Sequence, residues 1–383
     1  MRKITVIGLF LLSRFLLLIS LPVEGLGGYG DYVHFYRLGG MGVPFLDYWT
    51  EYPPIYSFLL TLLYQLAGNR QHVFDLMLVS ILTVAQAGGL WLFICIAEKI
   101  ATEKQVEYLT WFYYAVTLSL PYGWWYSDSL AVFGTLLGIF WVIQGKDKLG
   151  GVALAMGTLT KLFPVLVLPT IWRWLNWRRA LKVSLGTVGL TLMVYGALYI
   201  ASPEMTVASV TSQGAKGTWE TVWALIDGNY NTGNFGPEIE RYDPSTAQVR
   251  RGNPPTLSPW LTFIPFAVIG GWFFLRARIY STKAALGFLG ITWCIFLLWT
   301  PGYSPQWVLY LLPIILLVLP ARQATLFAIL LTLVNLLEWP ILLSRGYNWG
   351  LWLTIPLRTL LLVMLVPVLW QVVEYPKQPE EAS

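Results

Sequence analysis

Apolar runs recur from one end of this chain to the other, at 4–22, 53–67, 76–97, 107–122, 129–144, 150–171, 183–201, 260–275, 284–299, 307–320, 324–342 and 351–372. Most have the length a helix needs to cross a hydrocarbon core about 30 Å thick. Only 12% of the residues are charged, against about 25% in soluble globular proteins. The expectation is an all-α polytopic membrane protein with one transmembrane domain over 1–372 and a short cytoplasmic tail over 373–383. The opening MRKITVIGLFLLSRFLLLISLP has the basic head and apolar core of a signal peptide. It has no convincing small-residue cleavage site and many spans follow, so it reads as the first helix.

Composition removes several function classes. The net charge of +5 is spread over many loops, and no basic run is dense enough for nucleic acid. Cys95 and Cys294 both fall inside apolar runs, which argues against a disulfide framework, a zinc site or a thiol nucleophile. His34 and His72 form no metal pattern with nearby acids, and no phosphate-binding glycine motif is present. No cofactor is expected, although a divalent metal stays open. The 20 Trp and 21 Tyr suit belts at the two membrane surfaces.

Basic residues in short loops orient the chain. Arg2 and Lys3, the cluster Arg173, Arg178, Arg179 and Lys182, then Arg276, Arg278, Lys283 and Arg322 belong inside. The run 150–171 has Lys146 and Lys148 before it and that cluster after it, so a single crossing would put one group outside. A re-entrant hairpin turning near Thr160–Pro164 keeps both inside. The run 53–67 is short, starts with Pro53-Pro54, and need not cross either. With neither crossing, Lys99, Lys104, Lys146 and Lys148 are inside and only Arg70 is outside, giving ten crossings. With both crossing, the assignments reverse and there are twelve. Four charges against one favour ten.

That threading places Asp31, Asp47, Glu51, Asp128, the turn at Lys161, the loop 202–259 and Gly302–Gln306 on the outer side, although none of them selected it. Polar groups from the whole chain converge on one face. Asp31 follows flexible glycines and precedes Tyr32–Leu38, which reads as a short amphipathic helix in the interface. A carboxylate held at headgroup depth could serve as a general base. Glu51, before Pro53-Pro54, fits a helix-start acid and could also touch a substrate hydroxyl. Turn chemistry accounts for Asp47. Ser127 or Asp128 could cap the helix that follows. Asp128 is framed by Trp124, Trp125 and Tyr126, a composition that also suits sugar binding. Lys161 lies mid-run, where a charge costs about 2.5–3.5 kcal/mol, so it reads as the counter-ion of a buried anion such as a lipid phosphate. In the outer loop, Gly217–Ile226 reads as an amphipathic helix, and Lys216, Arg250 and Arg251 give phosphate-binding potential.

Gly30-Asp31, Glu51-Tyr52-Pro53-Pro54, Gly157–Pro164 between two basic loops, Ser304-Pro305-Gln306-Trp307 and, more loosely, Thr218–Val222 together resemble the GT-C superfamily of membrane glycosyltransferases. Specifically, they are similar to glycosyltransferase family 87, the polyprenyl-phosphate-mannose-dependent mannosyltransferases of bacteria. Each motif is short; the order and spacing over most of the chain carry the likeness. The resemblance implies catalysis on the outer face of the bacterial plasma membrane. A hexose, commonly mannose, would pass from a polyprenyl-phosphate donor to a lipid or glycan acceptor with inversion. It implies Asp31 as the base and Lys161 at the donor phosphate. Asp128 and Gln306 would face the sugar, with Glu51, His34, Tyr126, Lys216 and Glu220 completing the substrate contacts. Unlike many GT-C enzymes, the chain has no second acid beside Asp128. A flippase of lipid-linked sugar and a surface-glycan polymerase or ligase remain as alternatives, the latter requiring Arg250 and Arg251.

Overall fold

The computed structural model describes residues 3–233 and 235–374. Arg2 and the acidic tail 375–383 lie outside the described residues. Helix accounts for most of each apolar run, and no strand occurs among the described residues. The first half comprises α1 (Lys3–Ser20), α2 (Tyr32–Gly39), α3 (Pro54–Ala67), α4 (Gln71–Ile100), α5 (Glu103–Ser119), α6 (Tyr122–Trp125), α7 (Asp128–Ile143), α8 (Asp147–Thr158) and α9 (Leu168–Trp174). The second comprises α10 (Trp177–Ser184), α11 (Leu190–Ala201), α12 (Pro203–Ala215), α13 (Val222–Asp227), α14 (Pro259–Arg276), α15 (Thr282–Trp299), α16 (Val308–Val318), α17 (Ala321–Leu336) and α18 (Leu351–Glu374). Seven helical segments among the described residues are long and apolar enough to cross a membrane. Pro54–Ala67, Asp128–Ile143 and Pro305–Val318 are apolar but shorter. The chain is therefore an integral membrane protein with an all-helical fold.

Burial sorts these helices. Every residue of α16 is buried, so this uniformly apolar helix lies in the interior, packed against α15, α17, α5, α7 and α4. No residue of α11 or α14 is buried; both helices lie at the periphery, where lipid would meet their exposed side chains. Small residues allow the closest helix pair. A Cβ on Gly134 of α7 would lie 2.9 Å from the Gly157 Cα of α8, and one on Gly138 would strike Leu154. This is the packing lipid favours, because no hydrophobic gain separates helix–helix from helix–lipid contact.

The segment 150–171 doubles back. Arg179 of α10 clasps Asp147 at the start of α8 (Nη2–Oδ1 2.7 Å, Nε–Oδ2 2.9 Å) and also bonds the Val142 carbonyl near the end of α7. The turn between α8 and α9 instead reaches the opposite end of α7, where Lys161 meets Asp128 at 3.5 Å. Entry and exit thus share one end of the molecule and the tip lies at the other. The helix α3 stays at the tip end. The Ile55 amide donates to the Leu159 carbonyl, and beyond its far end the Tyr36 hydroxyl of α2 bonds the Asn69 carbonyl. The first turn of α4 begins beside the same segment, with Gln71 and Asp75 against Gly27.

Candidate functional site

The tip end gathers residues from the first loop, α6–α7, the hairpin and the loop 202–259. Gly30 has φ +52°, and a Cβ there would lie 2.8 Å from the side chain of Trp125. Only glycine lets the backbone bend this tightly against that ring. Tyr29 stacks on Trp125 with ring centroids 5.8 Å apart, and the Tyr32 hydroxyl donates to the Trp124 carbonyl. The expected amphipathic helix 32–38 is α2, with Tyr32, Phe35 and Leu38 buried and Arg37 exposed. Asp31 is its N-cap residue, and its carbonyl receives the Phe35 amide at 2.8 Å. Its carboxylate does not cap the helix and has no hydrogen-bond partner among the described residues. Burial raises the Asp31 carboxyl above the usual range, while His34, Lys161 and Lys216 pull it back down.

Two lysines from different parts of the chain act electrostatically on this acid. Lys161 stands at the hairpin tip, where the amides of Thr160 and Lys161 both return to the Gly157 carbonyl. Its partner Asp128 is fully buried and also accepts the Tyr310 hydroxyl at 3.1 Å; Tyr310 in turn stacks on Phe163 at 4.5 Å. Asp128 thus anchors Lys161 within the wall and does not stand open toward a sugar. Nor does it cap: α7 begins at Asp128 with Ser127 preceding it, and neither side chain closes the helix start. The Lys216 ammonium lies 3.8 Å above the Trp219 ring and 4.3 Å from that of Phe235. No carboxylate forms an ion pair with it among the described residues. Burial lowers Lys216 to about 8, with Lys161 pushing the same way against Glu51 and Glu220.

Glu51 and His34 are used differently from the expected substrate contacts. Both oxygens of Glu51 take the Arg241 guanidinium, at 2.8 and 3.0 Å, and Oε1 also meets His34 Nε2 at 2.9 Å. The other ring nitrogen of His34 meets Glu238 at 3.0 Å. His34 and Arg241 hold the Glu51 carboxyl well below its usual range, despite burial. The Trp49 indole continues the joint, donating to Asp243 and Thr246. This cluster fastens the loop 202–259 onto the first loop. Glu51 is an ion-pair anchor, not a helix-dipole acid or an open ligand.

The expected helix over 217–226 is confined to α13. Its first part runs extended because Trp219 pairs with the chain at Gly302: the Tyr303 amide donates to the Trp219 carbonyl at 3.1 Å and the Trp219 amide to Pro301 at 3.3 Å. Glu220, at φ +52°, then turns the chain into α13. Tyr126 lies in the field of Asp31, Glu220 and Asp128, and its hydroxyl takes the Trp339 indole N–H at 2.9 Å. Gln306 is half-buried between buried Pro305 and Trp307, and its amide has no protein partner among the described residues. Arg251 is paired with Glu240, whereas Arg250 is exposed. In the turn at Asp47, the Val43 amide donates to its carboxylate at 2.7 Å.

Sequence reasoning passed over Arg241, Glu338 and Arg358. Glu338 and Arg358 sit inside apolar runs and pair at 2.5 Å in full burial; the signal that picked out Lys161, a charge mid-run, applies equally to them. Arg241 lies in an irregular loop and carries no such signal. No protein-family model and no curated protein matches this chain.

Proposed function

We propose that this protein is a membrane glycosyltransferase of the GT-C kind, moving a hexose, in our reading mannose, from a polyprenyl-phosphate donor to a lipid or glycan acceptor. The site would open on the outer face of a bacterial plasma membrane. One observation carries the reading: among the described residues the Asp31 carboxylate has no hydrogen-bond partner, although it stands where a helix cap would use it, and two lysines share its field. An acid left open beside paired cations suits a reaction in which a proton leaves one substrate as negative charge gathers on another.

In the proposed reaction the acceptor hydroxyl attacks the anomeric carbon from the face opposite the phosphate. The carbon–oxygen bond to phosphate breaks, and its electron pair stays on the departing polyprenyl monophosphate. Asp31 takes the hydroxyl proton as attack proceeds, a contribution of about 10²–10⁴ in rate. Lys216 and Lys161 stand where charge develops on the leaving phosphate. Gln306, half-buried with a free amide among the described residues, would meet hydroxyls of the sugar. An apolar groove of about 470 Å³ between α9, α14 and α15, lined by Pro169, Phe273, Phe288, Ile291 and Ile295, suits an isoprenoid tail.

Purified protein in nanodiscs, given radiolabelled polyprenyl-phosphate mannose and a membrane lipid extract, tests the class. Label moving to acceptor with release of polyprenyl monophosphate supports the transferase. Donor that changes leaflet unconsumed would indicate a flippase, and release of a diphosphate a polymerase or ligase.

A further inference from the structure

Behind the tip end lies a second group of buried charges that the proposed reaction does not use. Glu338, next to the end of α17, is fully buried. Its Oε1 takes the Arg358 guanidinium at 2.5 Å and its Oε2 the Thr354 hydroxyl at 2.5 Å. Both oxygens are thus satisfied as acceptors, the bonding of a carboxylate. Arg358 stacks on Tyr303 at 3.8 Å, and its Nη2 donates to the backbone carbonyl of Glu220. The Glu220 side chain is itself only 2% exposed, and its Oε2 has no partner. Its carboxyl meets that of Glu338 in a side-chain hydrogen bond, which requires a proton on one of the two; Arg358 and Lys216 are the cations in its field, and the phenols of Tyr122, Tyr126 and Tyr303 complete its surroundings.

One guanidinium cannot neutralise two buried carboxylates, and Glu338 already holds it. An ionised Glu220 would be a second buried anion whose nearest available cation is Lys216. We propose that Glu220 is kept as a neutral carboxylic acid and acts as a positioning residue, leaving the Lys216 ammonium uncompensated for an incoming phosphate. The part concerning phosphate rests on the donor reading; the location of the proton does not. Burial, joined by Glu338, raises the Glu220 carboxyl well above its ordinary range, in keeping with that assignment. The left-handed backbone at Glu220 is a conformation that non-glycine residues adopt only where surroundings enforce it. Arg358 on its carbonyl and the Trp219–Tyr303 pairing beside it do so here. Both devices serve one end: Lys216 is fixed in place with no anion of its own.

Two readouts on purified protein in nanodiscs test this. Infrared spectra at neutral pH are expected to contain a protonated-carboxyl carbonyl band that disappears in Glu220→Gln, a variant shaped like the neutral acid. A wild-type spectrum unchanged by Glu220→Gln overturns the proposal. The second readout is binding of polyprenyl monophosphate. Its informative quantity is the alkaline limb of the pH profile, where Lys216 loses its proton. Glu220→Gln removes whatever charge Glu220 carries. If Glu220 is already neutral, that limb should fall at the same pH in the variant as in wild type. A limb moved to lower pH in Glu220→Gln would show that Glu220 is an anion supporting the Lys216 ammonium, and overturns the proposal. Wild type that carries the Glu220 band yet binds no polyprenyl monophosphate contradicts the donor reading while establishing the buried proton.

Discussion

Asp31 and Glu51 come from the same stretch of loop and end in opposite states. Glu51 is enclosed: Arg241 grips both of its oxygens, and His34 links it onward to Glu238. Asp31 begins the same histidine's helix with no hydrogen-bond partner on its carboxylate among the described residues, in the charge field of Lys161 and Lys216. A buried charge whose hydrogen bonds are all filled holds elements together, and removing its partner strands it at high cost. A charge left open contributes nothing of that kind and is free to meet a ligand. The difference separates scaffold from working group where residue type cannot, since both are acids in the same polar segment.

The stability side of that contrast carries the largest effect. Arg241→Ala leaves Glu51 buried without its guanidinium and should cost about 3–5 kcal/mol, read as a lowered midpoint in thermal or denaturant unfolding. Asp31→Asn should cost nothing measurable, because no protein bond is lost; an equal loss in both variants would erase the distinction. Next, Lys216→Gln should raise the KM for donor about tenfold with folding unchanged, since its charge contacts phosphate in our reading and no protein carboxylate. A pH profile sharpens this. A base must be ionised and an anion-binding lysine protonated, so the rate should be bell-shaped. The acid limb lies above the ordinary carboxylate range because the Asp31 carboxyl is raised, and the alkaline limb lies near 8, where Lys216 loses its proton. Lys216→Arg stays charged and should move the alkaline limb up, while an unmoved limb would assign it to another group. The smallest effect belongs to Arg250→Gln. This exposed residue should change stability by less than about 0.5 kcal/mol and leave turnover alone, whereas a large loss of turnover would favour the ligase alternative.

Much of this architecture is legible in the residues, and what is not has a physical cause. Apolar runs at helical length specify the helices, and the charge count at Lys146, Lys148 and Arg173–Lys182 anticipates a segment that turns back, as it does at Lys161. Asp31, Lys161, Lys216, Asp128, Glu51 and His34 do come together at one end. Their pairings were not readable. Asp128 is spoken for by Lys161 and Tyr310, and Glu51 by Arg241, a partner 190 residues away in a loop without periodicity. The stretch 217–221 fails as a helix because its backbone bonds go to Arg251, Pro301 and Tyr303, pairings that local propensity cannot anticipate. Glu338 and Arg358 were visible as charges within apolar runs, by the same reasoning that selected Lys161.

The most direct measurement compares wild type with Asp31→Asn, in one nanodisc preparation, for transfer of radiolabelled mannose from polyprenyl phosphate to acceptor. The account predicts transfer by wild type and a fall of about 10²–10⁴-fold in the variant, with both proteins melting alike. Equal transfer by the two proteins would contradict it.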